Sequence, residues 1–241
     1  MIFLRKSGER GYFNHGWLET WHSFSFGEYY DPRFMGFRSL RVINEDRVQP
    51  AEGFPTHGHQ NMEILTYILD GSLEHRDSTG GGGIIRPGDV QYMSAGSGVR
   101  HSEFNASETE VVHLLQIWIL PQQSGGAPVY AERHFSKEKR QNRLCPIASG
   151  EGREDSLRIR QDAVVHAALL DGGRELELPC HSERHVWLQL ARGRLEVKGL
   201  SSTRVSLSSG DGLAIPATKL QRDPLTIRAE EDSEFLVFDL S

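Results

Sequence analysis

The sequence predicts an all-β chain arranged as two tandem antiparallel β-barrels of jelly-roll type, with few short helices. Three observations carry that expectation. Helical periodicity is scarce, while short β-rich runs recur between Gly, Pro, Asp and Ser; many short strands at even spacing suit a sandwich or barrel. Asp70-Gly71 separates two such runs, and this pair marks a tight hairpin because glycine tolerates positive φ. The chain also echoes itself at a spacing of 122 residues.

Taken in order, the runs are "SLRVI", "MEILTYIL", "SLEHRD", "GIIRPG", "DVQYMSA" and "VVHLLQIWIL", then "HVWLQLARG", "RLEVKG", "RVSLSSG", "GLAIPA", "LTIRAE" and "EFLVFDL". Ser78–Gly83 ("STGGGG") resembles a phosphate loop but lacks the Lys-Ser/Thr and helix that such a loop needs, so it reads as a hairpin tip. Pro121–Arg143 changes composition, with Pro, Gly and Ser followed by charge, and reads as a linker carrying one short helix. The 122-residue echo lays Gly71 on Gly193 and Gly88-Asp89 on Gly210-Asp211, and it brings "HLLQIWIL" onto "FLVFDLS". Two turns and a closing strand in one register indicate two copies of one unit. The expected domains are 1–130 and 131–241, the second including the connecting segment.

The 241 residues suffice for two cores, and 37% apolar with 25% charged residues describes a soluble globular chain. A net charge of −6 argues against direct nucleic-acid binding. No apolar run reaches membrane-spanning length, and "MIFLRKSGERGYF" lacks the pattern of a secretory signal. Cys145 and Cys180 form no disulfide framework and have no electropositive setting, so a reduced, cytoplasmic protein with inert thiols is expected.

The chemistry concentrates in "THGHQNMEILTYILDG" and "GSGVRHSEFN". Residues two apart on a strand point the same way, so His57 and His59 share a face, and Glu63 has the same parity. His101 and Glu103 share a face likewise. Two such strands can converge three imidazoles and one carboxylate, a nitrogen–oxygen set suited to iron, nickel, copper, manganese or zinc; an open position would make the site catalytic. His15, His22, His75 and His113 read as structural or exposed. The echo maps His57 to Pro179, His59 to His181, His101 to Asp223 and Glu103 to Leu225, so the second copy reads as structural.

These residues carry a resemblance. "GFPTHGH" followed by Glu63, a strand and Gly71 looks like the first cupin motif, and "PGD" with His101 and Asn105 looks like the second. The form HxHxxxEILTYILxGxxEHxDSxG, then MSAGxGxRHSExN, is similar to the pirin family, as is the opening "RKSGERGYFNHGWLETWHSFSFGEYYDPRFMGF". The resemblance implies a bicupin with one divalent transition metal, iron first, in the N-terminal barrel. It also implies the ligands His57, His59, His101 and Glu103. Ordinary cupins use a glutamate at the place of Glu63; pirins use the one matching Glu103, which shares a strand face with His101. Glu63 is then expected behind the ligands, orienting a histidine's other nitrogen.

Two functions follow from the resemblance. One is a metal-dependent dioxygenase that opens the heterocycle of flavonols such as quercetin with O2 and releases carbon monoxide, with Glu103 as the catalytic base. The other is a metal-binding, redox-sensing regulator acting through a protein partner. An intact ligand set favours the enzyme, and Trp21, Phe24, Phe26, Phe34 and Tyr92 are candidates to line an apolar pocket for a planar substrate.

Overall fold

A computed structural model describes residues 2–178, 183–200, 203–217 and 225–241. Strand dominates, and the helical elements are the one-turn Lys137–Arg140 helix and two 3-10 turns among the described residues. The chain divides into two compact units. One comprises Gly11–Phe135 with Leu157–Gln161; the other comprises Met1–Arg10, Ser136–Ser156 and Asp162–Ser241.

In the first unit, a four-stranded sheet runs in the order Gly53–His59, Val99–Asn105, Leu73–Asp77, Gly82–Ile85. A seven-stranded sheet runs Val129–His134, Asp89–Ser94, Glu63–Asp70, Val112–Ile119, Leu40–Val48, Leu18–His22, Gly11–Asn14. In the second unit, a four-stranded sheet takes Glu175–Leu178, Leu225–Ala229, Arg194–Leu200, Thr203–Ser208. Its other sheet takes Phe3–Arg5, Gly212–Ile215, His185–Arg192, Ser233–Leu240, Ala163–Leu170, Cys145–Ser149. The pairings are antiparallel throughout these ladders. The four-stranded sheets correspond strand for strand and the longer sheets over the six strands named for the second unit, which is the architecture of a bicupin; among the described residues the hydrogen bonding runs in two sheets per unit and does not close into a ring.

The duplicated turns share conformation as well as sequence. Gly71 and Gly193 have φ of 75° and 90°, and Gly88 and Gly210 have 99° and 84°. In the last strand the correspondence slips by one residue: Asp70 pairs with His113 whereas Arg192 pairs with Glu234, while the bulges beside these pairs, at Leu69 and Ala191, keep the 122-residue spacing. Two further expectations need correction. The 121–143 segment is not only linker: Val129–His134 pairs with Asp89–Ser94, and the short helix follows at Lys137–Arg140. The N-terminal strand Phe3–Arg5 pairs with Gly212–Ile215 and so belongs to the second unit.

The second unit's core is an apolar cluster that includes Leu188, Leu213, Leu225, Ile227 and Phe235. The first unit buries apolar clusters too, but its interior also holds Asn44, Asp46, Thr66, His75, Gln91, His101 and Glu103. Buried polar groups are retained only where something satisfies them or uses them, so the chemistry belongs to this unit. No helix among the described residues is long and apolar enough to cross a membrane.

Candidate metal centre and adjoining cavity

His57 lies directly opposite His101 in the ladder between Gly53–His59 and Val99–Asn105, while His59 pairs with Val99. Both histidines of the first strand therefore face the same side as His101. The register shifts between His101 and Glu103, where three residues of the first strand span two of the second, and Pro55 sits in that bulge. Proline has no N–H to give a ladder, so a bulge accommodates it. Its carbonyl then accepts a hydrogen bond from His57 Nδ1 at 2.9 Å.

The ring nitrogens converge. His101 Nε2 is 2.8 Å from His59 Nε2 and 3.0 Å from His57 Nε2. With Nδ1 of His57 donating to Pro55, its Nε2 carries a lone pair. His101 Nδ1 is 3.3 Å from His75 Nδ1, which also faces Gln91 Nε2 at 3.1 Å, while His75 Nε2 meets Asp77 Oδ2 at 3.2 Å. His75 thus donates to Asp77 and accepts at Nδ1, so His101 donates there and its Nε2 also carries a lone pair. Two lone pairs facing each other at 3.0 Å repel unless a cation lies between them. Ligands about 2.1 Å from one ion, at about a right angle, stand about 3.0 Å apart. The donor set fits a divalent metal. Burial, with charge from neighbouring imidazoles second, pulls His59 down to about 4 and His101 to about 2, so both are in the neutral, ligating form.

Glu103 is fully buried beside them. One ring nitrogen each of His75 and His101 and one Glu103 carboxylate oxygen lie within 4.8 Å of one another, as do one ring nitrogen each of His57, His59 and His101. Gln116 Nε2 donates to Glu103 Oε2 at 3.0 Å, and Thr66 Oγ1 lies 3.5 Å from Oε1. Desolvation raises the Glu103 carboxyl to about 7 against these hydrogen bonds.

Gln116, Thr66 and Gln91, which bond Glu103 and His75, continue a polar rung across five strands: His22 opposes Asn44, Asn44 opposes Gln116, Gln116 opposes Thr66 and Thr66 opposes Gln91. The corresponding rung of the second unit is His166, Val237, Leu188 and Leu213; by register Ile227, opposite Val197, stands at the place of Glu103, and Leu225, opposite Leu178, at that of His101, so the echo is two residues off in this strand. That unit lacks the carboxylate and most of the polar rung. Pro179, Cys180, His181 and Asp223 lie outside the described residues.

Glu63 does not orient a ligand histidine. Its carboxylate is taken by Tyr92 Oη, by Ser94 Oγ at 2.7 Å and by the Arg160 backbone N–H at 2.7 Å. Parity does not carry from His59 to Glu63 because they belong to different strands, separated by a turn with Asn61 at φ 52°. His75, fully buried, takes instead the place behind His101, a structural position and not an exposed one.

A cavity of about 470 Å³ reaches this site, lined by His57, His59, Glu103, Gln116 and the rings of Phe26, Phe54 and Trp118. Of the five aromatic candidates, Phe26 lines it. Phe24 is core, Tyr92 bonds Glu63, Trp21 packs on Tyr12 and under the Arg47 guanidinium, and Phe34 lies under Arg33. Phe54 and Trp118 line it as well, beyond the aromatic residues expected, with ring centroids 6.4 Å from His57 and 4.9 Å from His59 respectively. Cys145 is buried, and burial raises its thiol pKa, in keeping with an inert residue.

Known proteins share both the sequence and this architecture. Residues 4–119 match the family model described as Pirin, and residues 146–240 match the Quercetinase C-terminal cupin domain. The chain is 46% identical over 241 residues to the quercetin 2,3-dioxygenase of Escherichia coli K12, covering all of this chain and 99% of that one. The chain belongs to the pirin family. A pirin-like protein of Caulobacter vibrioides is 41% identical over 240 residues, covering 99% of each chain. The crystal structure of YhhW from Escherichia coli superposes with a TM-score of 0.91 at 44% identity, covering all of this pirin and 98% of that chain. A second structure, of YhhW in complex with nickel(II), gives 0.90 at the same identity, covering 100% and 99%.

Proposed function

We propose that this pirin is a metal-dependent dioxygenase acting on flavonols such as quercetin, or on another enolisable hydroxylated aromatic, with O2 as co-substrate. The observation that carries the reading is the convergence of three imidazole Nε2 atoms at the end of an aromatic-walled cavity that also contains a buried carboxylate. The 46% identity to an enzyme named quercetin 2,3-dioxygenase supports it.

His57, His59 and His101, with Glu103, would hold the metal. Iron is the metal we assign; nickel, copper, manganese and zinc are compatible with a nitrogen–oxygen set that has no thiolate. When bound, the metal supplies Lewis acidity toward the substrate's neighbouring oxygens and the means to engage dioxygen. The remaining work falls to the chain. Phe26, Phe54 and Trp118 hold a planar aromatic and exclude water. Glu103, which would face the flavonol 3-hydroxyl beside the metal, is the carboxylate placed to take its proton, and Gln116 and Thr66 fix its oxygens. Overall, one flavonol and one O2 give a ring-opened ester acid and one carbon monoxide.

The test is anaerobic purification with metal analysis, followed by O2 uptake and loss of flavonol absorbance with quercetin. The wild type is compared with His59→Ala and Glu103→Ala. Metal-dependent turnover lost in both variants is expected. Bound metal without turnover, across several reconstituted metals, would replace the enzyme with the metal-sensing regulator.

A further inference from the structure

The cavity at the histidines does not end at Phe26 and Phe54. A second chamber of about 250 Å³ shares Phe26, Asn44, Asp46 and Phe54 with it and is otherwise lined by residues that include Phe13, Leu18, Thr20 and His22. Together the two spaces fall within the range of small-molecule sites. Asn44 and Asp46 stand at the junction, each 4% exposed. Thr20 bonds the Asp46 carboxyl, yet Asn44 Oδ1 and Asp46 Oδ1 meet no hydrogen-bond partner among the described residues. A buried acceptor without a donor is costly, on the order of 1–3 kcal/mol. Two of them, two residues apart on one strand and lining the same junction, are a built demand for donors.

Resting on the dioxygenase reading, we infer that the second chamber is a recognition subsite for ring hydroxyls. Asn44 Oδ1 and Asp46 Oδ1 accept hydrogen bonds from hydroxyl groups on a part of the aromatic substrate remote from the reacting carbons. The chemical class selected is therefore a polyhydroxylated aromatic that reaches from the histidines past Phe26 and Phe54 to Asn44 and Asp46. Neither residue belongs to the metal-binding set; both are specificity residues. A site whose acceptors are left unpaired by an analogue rejects that analogue.

The test is direct binding to the metal-free full-length protein, read by tryptophan fluorescence quenching and calorimetry, so turnover plays no part. Four probes share one skeleton: 3-hydroxyflavone, galangin with hydroxyls added on the fused ring, 3,3′,4′-trihydroxyflavone with them on the pendant ring, and quercetin with both. Wild type should bind at least one hydroxyl-bearing probe on the order of tenfold or more tighter than 3-hydroxyflavone. Asp46→Leu and, independently, Asn44→Leu should each shrink that ratio severalfold, while Asp46→Asn, which keeps an acceptor oxygen, should restore most of it. Equal affinity for all four probes in the wild type, or a ratio untouched by both leucine variants, would overturn the subsite. Hydroxyl-dependent binding with no turnover by the metal-loaded protein would sink the dioxygenase reading and leave the subsite standing.

Discussion

His75 Nδ1 lies 3.3 Å from His101 Nδ1, and its opposite nitrogen lies 3.2 Å from Asp77 Oδ2. Asp77 accepts a hydrogen bond from His75 Nε2–H, His75 Nδ1 accepts one from His101 Nδ1–H, and the lone pair of His101 Nε2 is left pointing at His57 and His59. Partners of this kind hold a ligand ring in orientation and raise its basicity. His75→Phe keeps a buried ring against Tyr130, which stacks on His75 at 4.8 Å, but removes the acceptor. Metal affinity is expected to fall about 10–100-fold, measured by chelator competition, with thermal stability of the metal-free protein changed far less. Unchanged affinity would show that His101 needs no orienting partner.

Glu103 combines complete burial with a proposed proton-accepting role, and the two make opposite demands. Burial raises its carboxyl to about 7, so ionisation near neutrality costs the fold stability. Glu103→Gln keeps the shape and removes that charge. Turnover of quercetin is expected to drop about 10²–10⁴-fold, whereas the metal-free variant should melt no lower than wild type at about pH 8, above the raised pKa. A variant that melted well below wild type while retaining activity would show a structural carboxylate instead of a catalytic one.

The duplication and the two ligand-bearing stretches stood out in the sequence because glycine at a turn and histidine two residues apart are local signals. Gly71 and Gly193 adopt the conformation their positions demanded, and His57, His59 and His101 come together. What supports them did not stand out. Thr66, Gln91 and Gln116 are single polar residues within largely apolar strands, Asn44 opens the polar run Asn44–Arg47, and only the register across the strands shows that they form one rung. The same limit misled the assignment of Glu63: parity is a property of one strand, and the turn at Asn61 ended that strand. The neglected signal was an odd one out, a glutamine or threonine in "VQYM", "ILTY" or "LLQI" where an aliphatic residue would pack.

Gly71 allows the conformation of the hairpin to be tested. It has φ 75°, and a Cβ there would come within 2.8 Å of the Val111 carbonyl oxygen. Both the positive φ and the backbone contact oppose a side chain, so Gly71→Ala should destabilise the chain by about 1–3 kcal/mol. At Gly8 a Cβ would meet nothing within 4 Å, and φ is not positive; Gly8→Ala should be neutral or slightly stabilising through the unfolded state. Denaturant unfolding of the two variants compares them directly, and equal midpoints would refute the steric account.

His166 takes, in the second unit, the place that Asn44 holds in the first, opposite Val237 in the ladder. Its Nδ1 has no hydrogen-bond partner among the described residues. Burial lowers its pKa; Asp239 and Glu154 pull the other way and Arg153 adds to the lowering. A histidine with a depressed folded pKa binds its proton more readily when unfolded. Its contribution to stability is therefore present above the unfolded value of about 6.5 and is lost as pH falls toward the folded value. His166→Leu removes the titration, so the loss of stability between about pH 7.5 and pH 5 should be shallower than in wild type. Comparing the two proteins, both metal-free, cancels the parallel contributions of the lowered His59, His75 and His101. Denaturant midpoints at a series of pH values give the answer: identical acid limbs would mean that His166 gains its proton as easily folded as unfolded.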